Sequence, residues 1–320
     1  MQFMNKVLQI GTRDSQLAVW QATHVQQLLA AKGFASELVY IKSEGDIDLV
    51  TPLYEIGVQG IFTKTLDAAL LGKRIDIAVH SMKDVPTQLA KGIVQAAVLK
   101  RASYKDLFVY KDASIVNDWQ LTEPSLDAPS AAAGIIATSS IRRKAQWLSR
   151  YPNHTIENLR GNVNTRLRKL AEHNWNGAIF AAAGLERIEV RPGNSIELDW
   201  MLPAPAQGAI MVVCKEGDDY AKEAAGILND VSTALCTSIE KDFLRGLMGG
   251  CSTPVSALAE LRDDTIYFTG NIYTLDGTHK VETTKQLPVE QAYNLGNSAA
   301  AEVLQNGGKE IAEAIRNVIR

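Results

Sequence analysis

The chain has 320 residues, of which 46% are hydrophobic and 22% charged, and this length and composition predict two or three globular domains. Its 33 basic and 36 acidic side chains leave a net charge of −3, which excludes a chain-wide basic field for nucleic acid. There is no apolar run of membrane-spanning length, no apolar segment typical of a secretory signal, and no zinc-type cysteine spacing. We therefore expect a cytosolic protein with reduced thiols and no metal site.

Short apolar runs alternate with amphipathic stretches in the first third of the chain, a pattern typical of βα units and a largely parallel sheet. The predicted elements are strand 7–10, a helix that begins at Asp14 or Ser15 and ends at Gly33, strand 37–41, a mobile glycine-rich loop over 43–60, a helix near 61–71, strand 75–80 and a loop over 81–86. The first helix is predicted to bury the face that carries Leu17, Trp20, Val25 and Leu28.

The stretch 112–134 is rich in Ala, Ser, Asp and Pro and is interpreted as an insertion at a domain edge. The βα pattern then resumes with strand 134–137, helix 140–150, strand 155–159, helix 162–174, strand 177–182 and a short helix. The segment LPAPAQGA (202–209) is a candidate crossing between domains, followed by strand 210–214 and helices near 217–228 and 231–246. The last quarter predicts three antiparallel strands, from VSALAEL, TIYFTGNIY and KVETTKQL, and helices at 289–305 and 308–319.

Positive charge is concentrated in residues 142–169, which carry a net charge of +7, whereas the other 292 residues carry −10. Such a tract is either a solvated helix face or a local attraction for an anion.

Basic and hydroxyl side chains follow four of the predicted strands, at the positions where doubly wound sheets bind ligands. They are Arg13 and Ser15 after the first strand, Lys83 with Asp84 after strand 75–80, Thr138, Ser139, Ser140, Arg142 and Arg143 after strand 134–137, and Arg160, Gly161, Asn162 and Arg166 after strand 155–159. Arginine forks hold planar carboxylates through paired, charge-assisted hydrogen bonds. Because the chain has no G-x-x-x-x-G-K-[ST] or G-x-G-x-x-G motif, the pattern favours a ligand with several carboxylates over a nucleotide.

Two of these residues have two interpretations each. Asp84 is an acid among bases. In the first interpretation it caps its loop or pairs with Lys83, and in the second it stabilises a developing cation or moves a proton. Cys251 follows Gly249-Gly250 on a tight turn and is either an inert buried thiol or a nucleophilic thiolate. Three further residues are predicted to be structural, namely Cys214, Cys236 and His80.

Eight motifs occur in order between residues 10 and 254: IGTRDSQLAVWQA, GVQGIFTK, IDIAVHSMKDVP, ATSSIRRKAQ, LRGNVNTRL, AAAGLERI, LPAPAQGA and GGCSTP. Together they resemble the porphobilinogen deaminase (hydroxymethylbilane synthase) family of tetrapyrrole biosynthesis. The resemblance implies two α/β domains similar to periplasmic binding proteins and a smaller α+β C-terminal domain. The implied bounds are 1–105 with 209–226 for domain 1, 106–208 for domain 2 and 227–320 for domain 3.

The resemblance also implies the roles of individual residues. Cys251 matches the residue that holds a covalent dipyrromethane cofactor through a thioether, and Asp84 matches the catalytic carboxylate. Cofactor binding is further implied for Lys83, Ser140, Arg142, Arg143 and Asp84. Substrate binding is implied for Arg13, Ser15, Arg160, Arg166, Arg187 and Gln207.

The implied reaction begins when porphobilinogen loses ammonia to give an azafulvenium cation that Asp84 stabilises. Four units condense head to tail on the dipyrromethane, and water releases hydroxymethylbilane. We expect a cytoplasmic monomer that acts on this small molecule, without nucleic acid or membrane. Gln59 stands where the family usually has Lys, and Met248 stands where an acid is common. The rival interpretations are a non-enzymatic anion-binding protein and a pseudoenzyme that binds porphyrin precursors without turnover.

Overall fold

The computed structural model describes residues 6–42, 63–123, 132–247 and 253–319. Four features singled out from the sequence lie outside these residues: the 43–60 loop, Gln59, Met248 and Cys251. The described residues separate into two compact units. The first unit contains residues 6–42, 63–102 and 208–235, and the second contains residues 103–123, 132–207, 236–247 and 253–319.

The helices and strands of the described residues follow one another along the chain as β1 (Leu8–Thr12), α1 (Gln16–Ala31), β2 (Ser36–Tyr40), α2 (Lys64–Leu71), β3 (Ile77–Ser81), β4 (Ile93–Val98), β5 (Asp106–Tyr110), α3 (Ser114–Asp118), β6 (Ile135–Ala137), α4 (Ile141–Arg150), β7 (Thr155–Glu157), α5 (Val163–Glu172), β8 (Gly177–Ala181), α6 (Ala182–Glu186), β9 (Ser195–Glu197), β10 (Ile210–Lys215), α7 (Asp219–Gly226), α8 (Val231–Gly246), β11 (Val255–Arg262), β12 (Thr265–Tyr273), β13 (Lys280–Pro288), α9 (Leu295–Val303) and α10 (Lys309–Ile319). A single-turn 3₁₀ helix occupies Met82–Asp84, and a longer 3₁₀ helix occupies Val289–Asn294.

The first unit is built on a five-stranded sheet with the order β2-β1-β3-β10-β4. β1 runs parallel to β2 and β3, whereas β10 runs antiparallel to both β3 and β4. The predicted strand 210–214 forms β10, and the predicted sheet is largely parallel, since β10 alone among its described strands runs against the other four. A run that is apolar at every position reports burial on both faces of the sheet and carries no information on strand direction.

Helix α1 covers one face of this sheet. The predicted cap is confirmed, because the Ser15 hydroxyl accepts a hydrogen bond from the Ala18 amide at 3.4 Å. The helix buries Ala18, Gln21, Ala22, Val25 and Leu29. Of the four residues predicted to be buried, only Val25 is among these buried residues. Small side chains such as Ala18 and Ala22 let α1 approach the sheet closely, and the larger Trp20 and Leu28 are only partly buried.

The second unit contains a five-stranded sheet with the order β7-β6-β8-β5-β9. β6 runs parallel to β7 and β8, and β5 runs antiparallel to β8 and β9, so this sheet repeats the arrangement of the first. An aromatic cluster packs in its core and consists of Phe108, Trp119, Trp147, Tyr151 and Trp200. The sequence patterns missed four elements of the two large sheets and their surroundings, namely β4, β5, α3 and β9.

The C-terminal part of the second unit has the predicted three-stranded antiparallel sheet, in the order β11-β12-β13. The predicted helix 289–305 is instead a 3₁₀ segment followed by α9, and α9 is separated from α10 by Gly307 at φ 105°. Two α/β sheets with a smaller α+β part confirm the predicted fold class. Among the described helices, none has both the length and the apolarity that crossing a membrane demands.

Candidate active site

In the first unit, four candidate residues follow two neighbouring strands. Arg13 and Ser15 come after β1, and Lys83 and Asp84 come after β3. Because β1 and β3 are parallel neighbours, their carboxyl ends lie at one edge of the sheet. All four side chains are partly exposed.

Asp84 lies in the 3₁₀ turn Met82–Asp84, which ends where the Val85 amide donates to the Met82 carbonyl at 3.2 Å. A buried glutamine supports this turn from α1, since Gln21 Nε2 donates to Ser81 Oγ at 2.8 Å. Within residues 6–42, 63–123, 132–247 and 253–319, the Asp84 carboxylate makes no hydrogen bond or ion pair. The interpretation of Asp84 as a loop cap or as a partner of Lys83 therefore has no contact to support it.

His80 is the penultimate residue of β3, two residues before this turn, and is buried. Burial, together with the positive charge of Arg13, lowers the pKa of His80 to about 4. The imidazole is therefore neutral at physiological pH, as a structural histidine would be, and it does not add to the positive charge of this edge.

In the second unit, a buried carboxylate joins the two consecutive arginines of α4. Asp106 is 0% exposed and Arg142 and Arg143 are each 5% exposed. Arg143 Nε and Nη2 donate to Asp106 Oδ1 at 3.0 and 2.7 Å, and Arg142 Nη2 lies 2.8 Å from Asp106 Oδ2. The cluster of two cations and one anion carries a net charge of +1 away from water.

The same cluster is tied to backbone carbonyls on two sides. Arg143 Nη1 donates to the Ile179 carbonyl of β8 at 3.0 Å, and Arg142 Nη1 donates to the Leu202 carbonyl at 2.8 Å. Burial lowers the pKa of the Arg142 guanidinium, although the neighbouring Asp106 charge opposes this. Arg142 Nε is buried and has no hydrogen-bond partner among the described residues, so one strong donor of the pair is left for another acceptor.

Gln207 reaches this cluster from the LPAPAQGA segment. Its Nε2 donates to Asp106 Oδ1 at 2.9 Å and to the Tyr104 carbonyl at 2.7 Å, and its side chain is buried. The preceding residue is fixed in turn by α8, because the Ala206 amide donates to Glu240 Oε2 at 2.6 Å. Glu240 Oε1 also accepts from the Ala259 amide of β11 at 2.8 Å. Both carboxylate oxygens of this buried residue therefore hold backbone amides.

Hydroxyl and amide side chains cap the helices that carry the arginines. Ser140 begins α4 by accepting from the Arg143 amide at 3.4 Å, and Ser139 Oγ donates to the Leu159 carbonyl. Asn162 begins α5 by accepting from the Thr165 amide at 2.9 Å. Neither helix has an acid in its first turn, so no acidic residue of the helix itself compensates the positive end of its dipole.

Arg160, Arg166 and Arg187 complete the group in the second unit. Arg160 is buried in the turn between β7 and α5, and Arg166 Nε donates to the Gly161 carbonyl of the same turn at 2.7 Å. Burial lowers the pKa of Arg187 to about 10, which still leaves it protonated at neutral pH. Since β7 and β6 are adjacent and parallel, the residues that follow them, Arg160 and Thr138, lie at one sheet edge, whereas Arg187 follows α6, the helix after β8.

The candidate residues divide into two groups, one per unit. The first group is Arg13, Ser15, Lys83 and Asp84, and the second is Ser140, Arg142, Arg143, Arg160, Arg166, Arg187 and Gln207. Sequence reasoning missed Asp106, Gln21 and Glu240. For Asp106 the available signal was a single acid at the head of the apolar run LFVY, which was not recognised as a strand. In the described part of the chain, no group of His, Cys, Asp and Glu side chains could hold a metal ion.

Two family models match the sequence. The model described as "Porphobilinogen deaminase, dipyromethane cofactor binding domain" matches residues 8–223, and "Porphobilinogen deaminase, C-terminal domain" matches residues 234–305. Among curated proteins, the porphobilinogen deaminase of Syntrophotalea carbinolica is 39% identical over 315 residues, which is 97% of this chain and 96% of the relative.

Two solved structures illustrate the similarity in fold. The VFT2 domain of BvgS from Bordetella pertussis is 13% identical with a TM-score of 0.40, and the alignment covers 71% of this chain and 89% of that one. The methionine binding protein MetQ is 14% identical with a TM-score of 0.41, covering 69% of this chain and 89% of that one.

Proposed function

The chain belongs to the porphobilinogen deaminase family, and we propose that the two groups of residues described above carry out the reaction of that family. The enzyme is a transferase, a hydroxymethylbilane synthase of tetrapyrrole and heme biosynthesis. It deaminates four porphobilinogen molecules, joins them head to tail on a dipyrromethane cofactor and releases hydroxymethylbilane by hydrolysis. The observation that supports these roles best is the buried Arg142–Asp106–Arg143 cluster, which has one positive charge in excess.

The donor set of the second unit fits a cofactor with several carboxylates. Guanidinium groups bind carboxylates through paired hydrogen bonds, and Arg142 Nε is a buried donor with no partner among the described residues. We assign cofactor binding to Arg142 and Arg143, with Ser140, Lys83 and Asp84, and covalent attachment to the Cys251 thiol. When bound, the dipyrromethane supplies the primer to which substrate units are added.

Asp84 is the catalytic carboxylate in this proposal. Loss of ammonia from porphobilinogen leaves a positive charge on the substrate, and an ionised carboxylate near the pyrrole nitrogen stabilises that charge. The same carboxylate can hold the pyrrole N–H proton by accepting its hydrogen bond. The Asp84 carboxylate has no partner among the described residues, and this supports the assignment of both oxygens to this task.

The remaining candidate residues bind the acidic side chains of the substrate. We assign this role to Arg13, Ser15, Arg160, Arg166, Arg187 and Gln207. Every added unit brings further carboxylates, so the charge that must be matched grows with each cycle, and several arginines are required. We further propose that the enzyme works as a cytoplasmic monomer on this small molecule, without nucleic acid, membrane or metal.

Two variants test the proposal in one experiment. The intact mass of the purified wild-type chain is expected to exceed the sequence mass by one dipyrromethane. Cys251→Ala should lose both this mass and the activity, because the attachment sulfur is gone. Asp84→Asn should keep the mass and the fold but lose nearly all turnover, since an amide carries no negative charge.

Matched controls exist for both variants. Cys214→Ala, a buried cysteine in β10, should keep the added mass, and Asp14→Asn, an exposed aspartate next to Arg13, should keep turnover. A Cys251→Ala protein that still condenses porphobilinogen would refute the attachment. Near-normal turnover in Asp84→Asn would return Asp84 to a structural role.

A further inference from the structure

Asp106 contacts both cofactor-binding arginines but matches none of the residues discussed so far for cofactor or substrate. It begins β5, pairs with Ala181 of β8 in the sheet and is 0% exposed. One carboxylate oxygen accepts from Arg143 and Gln207, and the other lies beside Arg142. No ligand can touch a side chain that is enclosed in this way, so any contribution of Asp106 must act through its neighbours.

The chemistry of the cluster explains why an anion is needed there. Two guanidinium groups that are both withdrawn from water repel each other and lose their hydration. Burial alone would raise the pKa of Asp106, but the charges of Arg142 and Arg143 lower it to about 2. The carboxylate is therefore ionised at physiological pH and compensates one of the two cations, which leaves the second cation without a counter-ion among the described residues.

We propose that Asp106 is a positioning residue that fixes the Arg142 and Arg143 guanidinium groups in the orientation in which they bind the carboxylates of the cofactor. It holds Arg143 by two donors, Nε and Nη2, which sets the plane of that guanidinium. It holds Arg142 by Nη2 alone and leaves Arg142 Nε without a partner in the described part of the chain. Gln207 has a supporting role, because it anchors the Asp106 carboxylate to the Tyr104 carbonyl.

This inference rests on the proposed function, in which Arg142 and Arg143 bind the dipyrromethane. It adds that the pair is preorganised by a buried anion before the cofactor arrives. Removal of the anion should let the guanidinium groups turn away from each other, so a folded chain would capture or retain the cofactor poorly.

The test compares cofactor occupancy with fold stability in purified, full-length protein. Asp106→Asn keeps the shape of the side chain but removes its charge. We expect the fraction of chains that carry the dipyrromethane mass to fall at least about tenfold, the loss that corresponds to one broken charge-assisted contact. Thermal unfolding of the same samples reports how far the fold itself is weakened.

Two controls separate positioning from stability. Val109→Ala, in the same strand and buried, should lower the melting temperature without lowering occupancy. Asp199→Asn breaks an exposed ion pair with Lys105 and should change neither quantity. If Asp106→Asn carries as much cofactor as Val109→Ala, the positioning role is wrong.

A second variant covers the case in which Asp106→Asn does not fold. Gln207→Met removes one donor to Asp106 and leaves its charge in place, so we expect a folded protein with a smaller but measurable loss of occupancy. Full occupancy in Gln207→Met would overturn the inference in that case. A wild-type chain without dipyrromethane mass would instead contradict the proposed function itself, and the two failures are therefore distinguishable.

Discussion

The buried imidazole of His80 ties the stability of the first unit to pH. Its pKa is lowered to about 4, whereas a histidine in the unfolded chain titrates near its ordinary value of 6.5. Between these two values the unfolded chain binds a proton that the folded chain excludes, so the free energy of unfolding decreases as the pH falls from 6.5 to 4. Above pH 6.5 the imidazole of His80 is neutral in both the folded and the unfolded chain, so the protein keeps its full stability there. Burial also lowers the pKa of His154, which adds to the slope with the same sign.

His80→Gln should therefore flatten the dependence of stability on pH. The shift corresponds to about 3 kcal/mol, which the wild type loses between pH 6.5 and 4 and the variant does not. Urea unfolding at several pH values in this range measures the slope directly. His173→Gln, which changes an exposed histidine, should keep the wild-type slope. An unchanged slope in His80→Gln would mean that His80 is not held neutral by the fold.

The candidate residues themselves could be predicted from sequence where the chemistry depends on residue type and position after a strand. Arg142 and Arg143 belong to this class, since a hydroxyl cap followed by two arginines directly after an apolar strand indicates an anion site. Asp106 could not be found in this way. It lies 36 residues before Arg142, and only the antiparallel pairing of β5 with β8 brings it under α4. The partners of a buried charge depend on tertiary pairing, which local patterns do not encode.

At the level of elements, the position of α4 depends on the turn between β12 and β13. Gly277 in that turn has φ 76°, a region that residues with a Cβ rarely adopt. A Cβ at this position would lie 2.2 Å from the Ala145 carbonyl oxygen and 2.7 Å from the Ser149 amide nitrogen, both in the backbone of α4. Backbone atoms of a helix cannot move aside, so the turn and α4 are in direct contact only because residue 277 is a glycine.

Gly277→Ala is expected to destabilise the second unit by more than about 2 kcal/mol, through backbone strain together with steric overlap. Gly307→Ala is the matched control. Gly307 also has a positive φ, of 105°, but the nearest atom to its Cβ position is Val281 Cγ2 at an ordinary 3.7 Å. It should cost only the strain, about 1–2 kcal/mol. Thermal unfolding of the two variants gives the difference, and equal losses would show that the α4 contact does not matter.

Sequence patterns predicted the antiparallel C-terminal strands and the Ser15 cap of α1 because these features are local. β4, β5 and β9 were missed because they lie outside the repeating βα pattern and their apolar runs are short or interrupted by polar residues. In the two large sheets, the strands that run antiparallel are β10 and β5, and each reaches its neighbours from a distant part of the sequence. Strand order is therefore the feature of the fold that the sequence reveals least.

For the molecule as a whole, this strand order makes the first unit discontinuous in sequence. β10 lies between β3 and β4, and residues 77–81 pair with residues 210–214. The returning segment also supplies much of the core, namely Ile210, Val212, Cys214, Ala221, Ala224 and Ala225. Burial of Ile210 and Val212 alone is worth about 3–6 kcal/mol, which is comparable with the total stability of a typical domain.

A chain of residues 1–102 should therefore be unfolded, whereas the same residues joined to 208–230 should fold. The join needs only about four Gly or Ser residues, a length typical of tight connections, because the Ala102 amide already donates to the Gly208 carbonyl at 3.2 Å. Residues 229 and 230 are included since Asn229 Oδ1 accepts from the Val98 amide at 2.9 Å. Circular dichroism during heating should show a cooperative transition for the joined chain alone. Val212→Asp in the joined chain should abolish that transition, because it buries a charge between β3 and β4. A cooperative transition in residues 1–102 by themselves would show that β10 is dispensable and that the proposed discontinuous domain 1 is wrong.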